Sequence, residues 1–171
     1  MRIMQNYSFQ INYDEQSYTV TGYQGDEAEA VIPEVFGGKP VTILFDKLFA
    51  GHEELRSVRL PETITDLGEF LFDGCVNLRH LDLPRDLTFL WGYTFVRCGL
   101  EEIVLPAGVR SIPPYAFKDC KNLKKVVCGA GLKEIHDWAF GGCDQLEEVV
   151  YGPDVLVHEK AFQSNEDILR I

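Results

Sequence analysis

Five cysteines and four histidines are the side chains of this 171-residue sequence best suited to nucleophilic or metal chemistry. The cysteines are Cys75, Cys98, Cys120, Cys128 and Cys143. Zinc ribbons and thioredoxin-type centres need two thiols separated by two residues, and no such pair occurs. An odd number of cysteines also fits a disulfide framework poorly. Four of them stand 23, 22 and 23 residues apart. A catalytic thiol needs a base oriented on one particular sulfur, whereas this spacing gives four sulfurs one common environment. The expectation is four buried, reduced thiols that behave as small apolar groups.

The histidines offer one further possibility. His136 and His158 each lie four residues before a phenylalanine, and Asp137 and Glu159 follow them. Two imidazoles and two carboxylates brought together could hold a divalent ion. Spacing alone shows no convergent geometry, so the expectation is a polar rim that binds no metal. Motifs for other chemistry are absent: there is no G-x-S-x-G, no H-E-x-x-H and no Walker loop. The glycines of Cys128-Gly129-Ala130-Gly131 belong to a turn and open no long helix. Neither catalysis nor a cofactor is expected.

Charge narrows the partners. The formal net charge is −11, and Lys124-Lys125 is the one basic pair. Such a surface repels both a phosphate backbone and an anionic membrane. No run approaches the roughly 18 apolar residues of a membrane span. The opening MRIMQNYSFQINYDEQ lacks an apolar signal-peptide centre. That implies a cytoplasmic chain if Met1 is the natural start, and a surface or secreted one if an export signal was trimmed.

The cysteine spacing is part of a longer repeat. Phe49, Phe72, Phe95, Phe117, Phe140 and Phe162 recur every 22 or 23 residues. One unit reads LPETITDLGEFLFDGCVNLRHLDLP from Leu60 to Pro84, and a deletion between Cys98 and Leu100 shortens the next. A period in the twenties marks a stacked solenoid. The segment Leu-x-x-Val-x-Leu-Pro alternates, which predicts a short strand buried on one face, and proline then turns the chain. Strands that recur once per coil lie parallel and side by side in one sheet. Tyr7 to Tyr13 and Tyr18 to Gly22 alternate around Asp14-Glu15-Gln16-Ser17, which predicts a hairpin capping the first coil.

These units resemble the BspA-type leucine-rich repeat of bacterial and protist surface proteins. Ile112, Ala116, Phe117, Cys120, Leu123 and Val126 match its pattern, as do Ile135, Ala139, Phe140, Cys143, Leu146 and Val149. The segment from Tyr18 to Leu44 is similar to the family's usual lead-in, and the likeness covers about nine tenths of the chain. His52 and Asn165 depart from it by standing at the cysteine position. The expected fold is a leucine-rich-repeat solenoid with six to seven short parallel strands in one sheet. Loops or short helical turns lie opposite. Residues 1–28 form the hairpin cap and 29–171 the solenoid, as a single domain overall. For exported members the resemblance implies adhesion or host-surface interaction. The other reading is a small cytoplasmic scaffold or self-assembling protein.

Three surfaces are candidates for holding a protein partner. The outward strand face carries Ser57, His80, Glu102, Lys125 and Glu148 in one row, and Val31, Arg59, Asp82, Val104, Val127 and Val150 in the next. The three terminal valines are either a docking stripe or plain strand formers. Phe70, Tyr93, Tyr115 and Trp138 make an aromatic row two residues before each phenylalanine, with Phe45 and Trp91 beside it. Such a row serves either an interface or the packing of the wall. Finally, phasing from Phe162 aligns Ile168-Leu169-Arg170-Ile171 with Leu78-Arg79-His80-Leu81, which predicts an open apolar end. Self-association through Ile168 and Ile171, as a two-fold homodimer, is then expected.

Overall fold

The computed structural model describes residues 6–163 and 168–171. Each repeat makes one coil with two strand ladders and a run of turns, and no helix occurs among the described residues. The first ladder holds β3 (Glu29–Val31), β6 (Ser57–Arg59), β9 (Glu102–Val104), β11 (Lys125–Val127), β13 (Glu148–Val150) and β15 (Leu169–Arg170). The second holds β5 (Lys39–Leu44), β7 (Asp66–Leu67), β8 (Phe89–Leu90), β10 (Ser111–Ile112), β12 (Glu134–Ile135) and β14 (Leu156–Val157). Each of these pairs in parallel with at least one neighbour in an adjacent coil. Turns lie opposite the first ladder as expected, and the second ladder is an element the repeat pattern did not predict.

The N-terminal hairpin forms as the alternation predicts. β1 (Asn6–Ile11) and β2 (Tyr18–Gln24) pair antiparallel. Asp14 holds the turn by accepting the Gln16 and Ser17 backbone N–H groups at 2.8 and 3.1 Å. β2 then pairs in parallel with β5, so the hairpin continues the second ladder. β4 (Val35–Phe36) folds back on β5 and stacks Phe36 on Phe9 with centroids 3.9 Å apart.

Both ladders are interrupted, for chain-specific reasons. Residues 80–82 occupy the strand place but form no strand, so the first ladder splits into β3-β6 and β9-β11-β13-β15. The second splits between β8 and β10. There Trp91 donates its N–H to Leu67 and His136 donates to Ile112, whereas the intervening Pro113 has no N–H to give. The shortened coil closes through Gly99, where a Cβ would lie 2.1 Å from the Val76 carbonyl oxygen.

The core is a column of rings. Phe49, Phe72, Phe95, Phe117, Phe140 and Phe162 stack with centroids 5.0–5.5 Å apart, nearly parallel throughout. Tyr23 meets Phe49 edge-on at 5.1 Å and covers the first ring. Val58, Leu81, Ile103, Val126 and Val149 bury against this column from the first ladder, and Leu44, Leu67, Leu90, Ile112 and Ile135 from the second. No single coil could bury them; the stack does.

Candidate functional site

The run of turns carries the aromatic row. Phe70, Tyr93, Tyr115 and Trp138 all adopt positive φ, between 53° and 62°, as does Lys47 one coil earlier. The four aromatic side chains are half-exposed and stack on one another. Centroids stand 4.5, 4.7 and 6.4 Å apart with planes within 13°. The Lys47 ammonium lies 5.8 Å over the Phe70 ring and closes one end of the row. The row is therefore packed ring on ring and half-exposed.

Beside it the second ladder turns further rings outward. Phe45, Phe89 and Trp91 are 51%, 59% and 53% exposed. Phe89 and Trp91 flank the buried Leu90, so alternation places both on the outer face of β8. Gly68 stands between Phe45 and Trp91 in the same row. A Cβ there would meet the Asp46 backbone nitrogen at 2.7 Å, so only glycine fits between the two rings. Phe89 was not singled out by the repeat pattern; its signal is alternation about Leu90.

The strand face is outward as expected, but it is less uniform. Arg59, His80, Asp82, Glu102 and Val104 are exposed, while Lys125, Val127, Glu148 and Val150 are half-buried. Lys125 Nζ lies 2.8 Å from Glu148 Oε2, so this pair satisfies itself. His80, Asp82, Leu83, Glu102, Val104 and Pro106 line an open cleft of about 320 Å³ where the first ladder is broken.

The histidine pair converges, but on a carboxylate other than Asp137 and Glu159. Glu134 and His136 flank the buried Ile135 on β12, so both project outward. β14 registers Val157 opposite Ile135, which brings the next residue, His158, beside His136. The imidazole centroids are 4.8 Å apart. His158 Nε2 lies 2.7 Å from Glu134 Oε1, and His136 Nε2 lies 3.4 Å from Oε2. The hydrogen bond to His158 holds the Glu134 carboxyl below its ordinary pKa. Asp137 does not join the group; its Oδ1 accepts the Lys160 backbone N–H at 3.0 Å. Glu159 is exposed and does not join the group.

Sequence comparison agrees with this geometry. A family model described as "BspA type Leucine rich repeat region (6 copies)" matches residues 42–169. The chain belongs to that family. No curated protein sequence matches it. Among solved structures, the leucine rich repeat protein of T. pallidum superposes with a TM-score of 0.85 at 27% identity, covering 96% of this chain and 78% of that one. A leucine rich cell surface protein of Faecalibacterium prausnitzii gives 0.65 at 23% identity, over 95% of this chain and 51% of that one. The pneumococcal vaccine antigen PcpA gives 0.74 at 19% identity, over 84% of this chain and 36% of that one. The chain thus spans about half of the Faecalibacterium protein and about a third of PcpA.

Within the BspA-type repeat the cysteine does more than fill space. Cys75, Cys120 and Cys143 each donate a thiol hydrogen to the phenylalanine carbonyl of the preceding coil, at 3.1, 2.9 and 3.0 Å. Cys98 precedes the deletion and reaches Cys75 O instead, at 3.7 Å. All five cysteines are free, and the four phased ones are buried. Burial pushes the thiols of Cys98 and Cys143 up to about 12, far from nucleophilic readiness.

The C-terminal coil departs from the expected phase. Arg170, not Ile171, registers opposite Val149. Ile171 therefore continues the outward row of Val104, Val127 and Val150, and is 58% exposed. The Arg170 guanidinium lies 4.3 Å over the Phe162 ring, so the chain covers the end of its own column. Ile168 packs half-buried against the core. Arg170 and the half-buried Ile168 thus cover part of the last ring while Ile171 stays exposed, and nothing here supports a homodimer through Ile168 and Ile171. Asn165, where the cysteine pattern lapses, lies outside them.

Proposed function

We propose that this chain is a non-catalytic protein-binding module that holds its partner on the aromatic wall. Membership of a leucine-rich-repeat family supports an interaction role, because solenoids present long continuous surfaces. The observation that carries the choice of wall is the outward set Phe45, Phe89 and Trp91 beside the stacked row from Phe70 to Trp138. Large apolar groups gathered on one face mark interaction sites, and aromatics are enriched where proteins meet. Rings already stacked lose little rotamer freedom on docking.

The test is a binding screen against an array of purified surface and matrix proteins, repeated with two double variants. Phe89→Ala with Trp91→Ala is expected to weaken any captured partner by about tenfold or more, as loss of aromatic anchors does. Asp82→Ala with Glu102→Ala is expected to leave it unchanged. The opposite pattern would move the site to the strand face and overturn this reading.

The setting we propose is a bacterial surface, since one structural neighbour is described as a cell surface protein. Five unpaired thiols favour the other setting, a scaffold in a reducing compartment. Protease shaving of intact cells that express the chain separates them: loss of the chain supports the first and protection the second.

A further inference from the structure

We propose that Glu134, His136 and His158 form a binding site for a divalent first-row transition ion, zinc foremost. This goes beyond the partner-binding reading and does not depend on it.

The donor set is two imidazole nitrogens and one carboxylate, which suits zinc. Their three ligand atoms lie within 4.8 Å of one another. In a tetrahedral site with bonds of about 2.0–2.1 Å, ligand atoms stand about 3.3 Å apart. His136 Nε2 and Glu134 Oε2 already stand at 3.4 Å. His158 Nε2 lies 2.7 Å from the other oxygen, Oε1, so a small turn of that ring brings its nitrogen into a shell with a single Glu134 oxygen. All three side chains are partly exposed, so the ion can enter and the rings can adjust.

The backbone beneath them is fixed, which matters because affinity depends on preformed geometry. His136 donates its N–H to Ile112 at 3.0 Å, and His158 donates to Ile135 at 2.9 Å. β12 and β14 hold the two coils in register. Placing two ligands at i and i+2 on one strand, and the third on the neighbouring strand, directs all three to one point above the sheet. Both Nε2 atoms face the same carboxylate, so an ion between them replaces Nε2–H donors with a stronger shared cation. The chain's net charge of −11 favours a cation further. Three protein ligands leave one coordination position open to water or to a donor from a partner. Bound there, the ion ties the Phe162 coil to the Phe140 coil.

Calorimetric titration of the chelator-treated full chain with zinc chloride at neutral pH is the test. One zinc per chain is expected. Losing even an outer-shell partner costs 10–100-fold in affinity, so Glu134→Gln and His158→Ala are each expected to weaken binding by at least about tenfold. His52→Ala, which breaks the separate His52–Glu54 pair at 3.0 Å, should leave the affinity unchanged. Thermal melts without metal check that each variant folds. Cobalt substitution adds an independent readout: visible bands of a low-coordinate nitrogen and oxygen site, with no thiolate charge-transfer band. Absence of binding in the unaltered chain, binding that survives both substitutions, or a thiolate band would each overturn the proposal.

Discussion

Phe117 and Tyr115 lie two residues apart and use their rings in opposite ways. Phe117 is fully buried between Phe95 and Phe140, and its carbonyl accepts the Cys143 thiol. Tyr115 stacks on the outside of the same turn, half-exposed. Phe117→Ala is expected to cost about 3–5 kcal/mol, because a large core aromatic leaves a cavity that neighbours cannot fill. A denaturant titration showing under about 1 kcal/mol would place the ring at the surface instead. The core ring was legible because its period is uninterrupted over six units. Glu134 was not, although its position two residues before His136 would have revealed it. That signal has value only once the segment is known to be a strand, and a two-residue strand is too short to be recognised from local pattern. Asp137 looked equally suitable in the sequence; only the structure shows its oxygen committed to the Lys160 N–H.

At the scale of elements, the turns and ladders depend on how closely coils approach one another. The Leu-x-x-Val-x-Leu-Pro segments were legible as strands because three alternating positions and a proline agree. The second ladder was not, since its two-residue strands owe their form to hydrogen bonds from adjacent coils rather than to local preference. The breaks follow from particular residues: Pro113 supplies no donor, and the missing residue near Gly99 draws the chain against Val76. Gly99→Ala is expected to destabilise the fold by about 1–3 kcal/mol, because backbone must move to admit the methyl group. Gly152→Ala is the matched control: nothing lies within 4 Å of its Cβ. It should change stability by no more than about 0.5 kcal/mol, as surface substitutions do. Equal effects from the two would show that close approach at Gly99 is not what limits that coil.

For the whole molecule, the buried thiols make stability depend on alkaline pH. An unfolded cysteine ionises near 9.0, whereas burial holds Cys98, Cys128 and Cys143 up to about 12 and also raises Cys75 and Cys120. The folded chain therefore keeps protons that the unfolded chain gives up. Stability from these groups is complete below pH 9 and falls as pH rises from 9 towards 12, because the unfolded state binds fewer protons there. Tyr7 and Tyr23 shift upward by the same desolvation and add to the decline. The chain's negative charge also grows in this range and works in the same direction. Comparing the parent with Cys98→Ala plus Cys143→Ala isolates the thiols from these other groups. Melting temperatures measured from about pH 8 to about pH 10.5 are expected to fall in both proteins, and to fall less in the double variant. The variant starts lower at about pH 8, since two thiol hydrogen bonds and their packing are lost. The decisive quantity is the slope against pH, not the starting value. Parallel slopes would mean that the thiols ionise as readily in the folded chain as in the unfolded one, contrary to their burial along the column.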